Sequence, residues 1–159
     1  MTDPAEILAA CRAKGLTVAT AESCTGGMVG AALTDIAGSS DVYERGVITY
    51  SNSAKMALLE VSLATLTIHG AVSEEVAREM ARGLKRTARV DIAVSVTGIA
   101  GPGGSEHKPE GRVCFGLATR DGVETETVEF GALGRAEVRA AATRHALGLI
   151  GAAAARAAA

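Results

Sequence analysis

Tryptophan is absent from the 159-residue chain, and two tyrosines with two phenylalanines make an aromatic share of only 3%. The core must therefore be assembled from the Ala, Val, Leu and Ile that dominate the 48% hydrophobic content. Cysteine is also sparse. Cys11, Cys24 and Cys114 are an odd number without paired spacing, which argues against a disulfide framework and fits a reduced, cytoplasmic setting. Neither these cysteines nor the isolated His69, His107 and His145 show metal-ligand spacing, so no metal site is expected. No apolar run reaches the length of a membrane span, and Met1-Thr2-Asp3-Pro4 lacks the basic start of a signal peptide. Sixteen basic and eighteen acidic residues leave a net charge of −2, without the basic excess of a general nucleic-acid binder. The length suggests one domain over residues 1–159.

What is present is an alternation of helical and strand-like runs. Asp3-Pro4 starts a helix carrying Ile7, Leu8 and Cys11 and stopped by Gly15. Thr17 to Ala21 is short, apolar and bounded, the pattern of a buried strand. A helix is expected from Thr25 to Ile36, and a β-rich run from Tyr43 to Tyr50 interrupted by Gly46. Further helices are expected over Asn52 to Leu59, capped by Ser51 or Asn52, over Ser62 to Ile68, and after Ser73, where Val76, Met80 and Leu84 form an apolar stripe. Asp91 to Thr97 reads as a second buried strand. Val113 to Thr119 and Val123 to Phe130, joined at Arg120-Asp121-Gly122, read as a hairpin. A long Ala-rich helix runs from Gly134 to Ala155, with Ala152 to Ala159 expected to fray. This order predicts an α/β fold, a mixed sheet with helices on both faces, whose ligands bind at the carboxyl ends of strands.

Two glycine-bearing loops leave such strand ends: Ser23-Cys24-Thr25-Gly26-Gly27, and the run from Gly98 to Ser105. Both emerge from carboxyl strand ends and are therefore expected to share one mouth. Ser23 or Cys24 is the candidate nucleophile of the first loop, with backbone N–H groups near Thr25 and Gly26 as oxyanion donors; a capped tight turn is the plainer alternative. No histidine lies nearby to serve as base. Lys55, early in the helix after Tyr50, offers another solution, since a buried lysine of lowered pKa accepts a proton and a tyrosine can relay or hold it. An exposed helix lysine and a rim tyrosine are the ordinary readings of the same residues. Thr97, Gly98, Ala100 and Gly101 would bring backbone N–H groups to a phosphate or a carbonyl, and Lys108 and Arg112 flank them.

Taken in order, Ala21-Glu22-Ser23-Cys24-Thr25-Gly26-Gly27, Gly38-Ser39-Ser40, Thr49-Tyr50-Ser51-Asn52 with Lys55, Gly70-Ala71-Val72-Ser73 and Ser95-Val96-Thr97-Gly98-Ile99-Ala100-Gly101-Pro102 resemble the CinA C-terminal-domain family, over about Ala5 to Ile150. The resemblance implies a three-layer α/β/α sandwich with a mixed, mostly parallel sheet. It also implies a nicotinamide-nucleotide amidase that deamidates nicotinamide mononucleotide in pyridine-nucleotide salvage, without metal or redox cofactor. The family's catalytic Ser, Tyr and Lys fall on Ser23, Tyr50 and Lys55, which makes Cys24 a neighbour. Thr25, Gly26, Gly27, Thr97, Gly98, Ala100 and Gly101 are the expected substrate-binding positions. A cytoplasmic homodimer acting on a small-molecule nucleotide is expected, with no stable nucleic-acid or membrane partner.

Two departures bear on that expectation. Longer CinA proteins carry an N-terminal nucleotide-processing domain for which this chain is too short, so pyrophosphatase activity is not expected. Glu110 and Arg112 stand where relatives tend to have an apolar residue and a threonine, which affects loop contacts rather than the nucleophile. The alternative is a non-catalytic nucleotide-binding or competence- and DNA-damage-associated interaction module on the same fold.

Overall fold

Serine and aspartate side chains set where most of the helices begin. In the computed structural model, which describes all of Met1–Ala159, Asp3 accepts a hydrogen bond from the Ala5 N–H at the start of α1 (Pro4–Ala13). Ser51, Ser62 and Ser73 do the same for α3 (Asn52–Leu59), α4 (Leu63–His69) and α5 (Glu74–Ala88). Each such cap contributes about 1 kcal/mol. The remaining helices are α2 (Met28–Thr34) and α6 (Arg135–Arg156), with a single 3-10 turn at Ser39–Asp41.

Five strands form one sheet: β1 (Val18–Glu22), β2 (Tyr43–Ile48), β3 (Ile92–Gly98), β4 (Arg112–Thr119) and β5 (Gly122–Glu129), in the order β2-β1-β3-β4-β5. β1 pairs in parallel with both β2 and β3, whereas β4 is antiparallel to β3 and to β5. Four strands thus point one way and β4 alone runs against them. The sheet is mixed with helices on both faces, as expected. The hairpin loop is Arg120-Asp121, because Gly122 already pairs with Thr119 as the first residue of β5.

Helices α1, α2 and α6 cover one face and α3, α4 and α5 the other. On the first face Val18, Ile92, Val94, Val96, Phe115 and Leu117 project from the strands into the larger core. On the second face the same strands present Ala19, Ala21, Ala93 and Ala118, together with Ser95 and Gly116. These small side chains admit α5 to close range: Ser95 donates to the Ala77 carbonyl at 2.6 Å, and a Cβ on Gly116 would collide with that carbonyl. Gly83 lets α5 meet α3 in the same way, against the Leu59 carbonyl. The shortage of aromatics is thus matched by a core in which backbones approach closely, where added volume has nowhere to go.

Most expected boundaries moved by one or two residues, as at the ends of α2 (Thr34 for Ile36) and β2 (Ile48 for Tyr50), and two differences have a clear physical cause. The helix expected from Thr25 begins at Met28, because Gly26 and Gly27 adopt φ of 57° and 104° and hold residues 24–27 in turns. The end expected to fray is helical to Arg156. Lys14 donates to the carbonyls of Ala154, Ala155 and Ala157, satisfying groups that a helix end otherwise leaves open.

Candidate active site

The parallel pairing of β1 with β2 and β3 brings three carboxyl strand ends to one edge. From there the chain leaves β1 for α2 on one face and β2 for α3 on the other, the crossover at which open α/β sheets hold ligands. A cavity of about 380 Å³ lies at this edge. Both glycine loops border it, and so do Tyr50, Asn52 and Lys55.

Ser23 is the first residue past β1. Its N–H donates to the Val96 carbonyl at 3.0 Å, which extends the sheet and points the side chain into the cavity. Lys55 comes from the first turn and a half of α3 and is only 2% exposed. Its Nζ lies 3.1 Å from Ser23 Oγ and 2.8 Å from the Thr49 carbonyl. Burial lowers its pKa from the ordinary lysine value of 10.5, and no carboxylate contacts the nitrogen to oppose this. Cys24 behaves in the opposite sense. Burial pushes its thiol up to about 11, so it stays protonated at neutral pH and is a poor nucleophile.

Of the other expected residues, Thr97, Gly98, Ala100 and Gly101 all line the cavity. The Thr97 hydroxyl is turned to the Ala71 carbonyl at 2.8 Å, fixing the neighbouring wall. The N–H groups of Ala100, Gly101 and Gly104 have no acceptor within the chain. Gly98 is required sterically, since a Cβ there would come 2.7 Å from Val113 Cγ2.

Thr25, Gly26 and Gly27 are not part of the cavity wall. The Gly26 N–H closes a turn onto the Ser23 carbonyl at 3.0 Å, and the Gly27 N–H donates to Glu22 at 3.1 Å. The elbow amides without an acceptor in the chain are those of Cys24 and Thr25, and of the two residues only Cys24 borders the cavity. Tyr50 also differs from expectation. It lies two residues past the end of β2, is 60% exposed, and its hydroxyl accepts from Arg135 at 2.7 Å rather than bonding Lys55 or Ser23. Lys55 is oriented by the Thr49 carbonyl instead. Arg112 does not reach the cavity: it pairs with Glu129 across the β4–β5 ladder at 2.6 Å. Lys108 does line it, anchored to the His69 and Val72 carbonyls. Glu110 accepts from the Gly103 N–H and so braces the glycine loop from behind.

Sequence reasoning missed two arginines of α6. Arg135 bridges the mouth, donating to the Gly101 carbonyl at 2.7 Å as well as to Tyr50. Arg139 donates to the Cys24 carbonyl at 3.0 Å and holds the Ser23–Gly27 turn. A signal existed for Arg135, since a cation in the first turn opposes the helix dipole and calls for a reason. Lys108 and Arg135 against Glu106 leave the cavity lining with an excess of positive charge, suited to an anionic ligand.

Fold and site together define an α/β protein with a cation-lined small-molecule pocket at the carboxyl ends of parallel strands. The family model of the CinA C-terminal domain matches residues 2–153, and the chain belongs to that family. The nicotinamide-nucleotide amidohydrolase PncC of Escherichia coli (strain K12) is 54% identical over 139 residues, covering 87% of this chain and 84% of that protein. PncC of Enterobacter agglomerans is 59% identical over 118 residues, covering 74% of this chain and 72% of that protein. Among solved structures, the competence/damage inducible protein CihA from Agrobacterium tumefaciens has a TM-score of 0.90 at 47% identity, covering 94% of this chain and 92% of that one. No helix is long and apolar enough to cross a membrane.

Proposed function

We propose that this chain is a nicotinamide-nucleotide amidohydrolase, converting nicotinamide mononucleotide and water to nicotinate mononucleotide and ammonia by serine acyl transfer. The observation that carries the mechanism is the buried Lys55 Nζ at 3.1 Å from Ser23 Oγ, with burial favouring its neutral, proton-accepting form. The substrate class rests on the PncC relatives at 54% and 59% identity and on the cationic lining of the pocket.

Neutral Lys55 takes the hydroxyl proton as Ser23 Oγ bonds to the carboxamide carbon. The Cys24 N–H stabilises the resulting oxyanion, and one such donor is worth roughly 3 kcal/mol. The C–N bond then breaks while Lys55 returns the proton to the leaving nitrogen, so ammonia departs neutral. Water attacks the acyl-Ser23 ester, again giving its proton to Lys55, which restores it to Ser23 Oγ as the carboxylic acid is released. The nucleotide phosphate lies against the loop from Thr97 to Gly104, where the open N–H groups of Ala100, Gly101 and Gly104 can approach it without side chains intervening. A cytoplasmic homodimer acting in pyridine-nucleotide salvage completes the proposal.

The test is ammonia release by the purified protein from nicotinamide mononucleotide, with nicotinate mononucleotide identified as co-product. Binding of the nucleotide with no turnover would overturn the reading and leave a non-catalytic nucleotide module.

A further inference from the structure

The side chain immediately before the nucleophile belongs to the most heavily hydrogen-bonded carboxylate in the molecule. Glu22 is the last residue of β1 and only 1% exposed. Its Oε1 accepts from the Thr25 hydroxyl at 2.7 Å, the Val29 N–H at 3.0 Å and the Gly27 N–H at 3.1 Å. Its Oε2 accepts from the Gly30 N–H at 3.0 Å and the Thr20 hydroxyl at 3.3 Å. Room for this network is made by glycine: a Cβ on Gly30 would stand 2.5 Å from the Tyr43 hydroxyl, which itself bonds Thr20 at 2.7 Å, and a Cβ on Gly46 would overlap the same hydroxyl. The proposed chemistry uses none of these atoms.

Five donors converge on one buried side chain, and four of them (Thr25, Gly27, Val29 and Gly30) lie on the turn that carries Ser23 or on the start of α2. The opposite side of that turn is held by Arg139, which takes the Cys24 carbonyl at 3.0 Å and the Thr25 carbonyl at 3.4 Å. In a trans peptide the N–H points away from the C=O, so a Cys24 carbonyl fixed on Arg139 aims the Thr25 N–H in the opposite direction. The Ser23 carbonyl, accepting from Gly26, fixes the Cys24 N–H likewise. By taking the N–H groups of Gly27, Val29 and Gly30, Glu22 also ties the turn to the start of α2.

We infer that Glu22 is a positioning residue for the reaction: its carboxylate holds the Ser23–Gly27 turn in the one arrangement that presents Ser23 Oγ to Lys55 and the Cys24 amide to the developing oxyanion. This rests on the serine acyl-transfer reading. The carboxylate is needed for its acceptors, because an amide of the same shape would turn an N–H₂ toward N–H or O–H donors at one of its two ends.

Glu22→Gln, Glu22→Asp and Ser23→Ala are to be compared in steady-state deamidation of nicotinamide mononucleotide, with folded fraction measured by circular dichroism. Glu22→Gln is expected to lose about a hundredfold in kcat per folded molecule, with KM within about threefold of the parent, because the misplaced groups act on the transition state rather than on nucleotide binding. Glu22→Asp, shorter by one methylene, is expected not to restore the rate. Should Glu22→Gln fail to fold, Thr25→Val removes one donor while keeping shape, and is expected to lower kcat about tenfold with KM unchanged. Loss of turnover in Ser23→Ala together with a near-parental kcat in folded Glu22→Gln, or in Thr25→Val where that variant stands in, overturns the inference while leaving the serine mechanism standing. Retained turnover in Ser23→Ala overturns both.

Discussion

Lys55 Nζ sits 3.1 Å from Ser23 Oγ across 32 residues of sequence, and its only other partner is the Thr49 carbonyl at 2.8 Å. The β1–β2 pairing produces this meeting: the Thr49 N–H donates to the Glu22 carbonyl at 2.8 Å, which carries the ladder past the end of β2 and delivers α3 beside the nucleophile. A buried lysine with no carboxylate partner is held for its neutral form. Its neighbours are those a proton acceptor needs.

Ser23→Ala should reduce deamidation by at least about three orders of magnitude while leaving thermal stability nearly unchanged, since one half-buried hydroxyl is lost. Cys24→Ala should keep most activity, because the thiol, with a pKa pushed up to about 11, does not supply the nucleophile. Activity that follows Cys24 rather than Ser23 in a paired assay would relocate the attacking atom.

The rate should rise with pH through one deprotonation located below the ordinary lysine value of 10.5, because burial lowers the Lys55 pKa. Lys55→Arg should be nearly inactive, since a guanidinium stays charged throughout. The stability consequence has the same sign. With the folded pKa below the unfolded one, the unfolded chain binds more protons between the two values, so stability rises with pH across that window. Denaturant titrations of Lys55→Met should lack this rise.

Tyr50 and Arg135 should act as a unit. Because Tyr50 bonds Arg135 at 2.7 Å and neither Ser23 nor Lys55, Tyr50→Phe should raise KM more than it lowers kcat. A double-mutant cycle of Tyr50→Phe with Arg135→Gln should show a coupling of about 0.5–3 kcal/mol, as expected for residues in contact. Additive effects, or a kcat collapse in Tyr50→Phe alone, would return Tyr50 to proton transfer.

Glu110→Ala should raise KM severalfold, since it frees the Gly103 N–H and loosens a loop that forms one wall of the pocket. The effect on kcat should be smaller, because Ser23 and Lys55 are anchored elsewhere. Separate measurement of kcat and KM checks both halves of this expectation.

Gly83→Ala distinguishes helix propensity from packing. In an exposed helix the change would stabilise by about 1 kcal/mol. Here the added methyl would overlap the Leu59 carbonyl oxygen, backbone against backbone, and should destabilise by roughly 1–3 kcal/mol. Chemical denaturation gives the sign directly.

The elements that local pattern controls were legible in the sequence: capped helices after Asp3, Ser51 and Ser73, apolar strands expected to end at Ala21 and Thr97 and found to end one residue later, and a hairpin of two β-rich runs. Ser23 and Lys55 were legible as candidates, but their meeting depends on β2 lying beside β1, which no local pattern states. What escaped was long-range. Arg139 reaches Cys24 over 115 residues and Arg135 reaches Tyr50 over 85, and nothing near either arginine announces its partner. The closing of the elbow was equally hidden: the Gly26 amide donates to the Ser23 carbonyl and the Gly27 amide to Glu22, a residue that local pattern marks only as the end of an apolar strand.

The capping of α6 by Lys14 reaches further than the helix end it satisfies. With 22 residues at about 1.5 Å each, α6 is a rod of roughly 33 Å whose aligned peptide dipoles run from Arg135 at the pocket mouth to carbonyls held by a cation. Lys14 screens the negative pole, while the positive pole begins at Arg135, which lines the pocket. The rod's field therefore adds to that of the arginine at the entrance. A phosphorylated ligand should be drawn toward this entrance before it makes any contact, and added salt should slow its capture without altering the chemistry that follows.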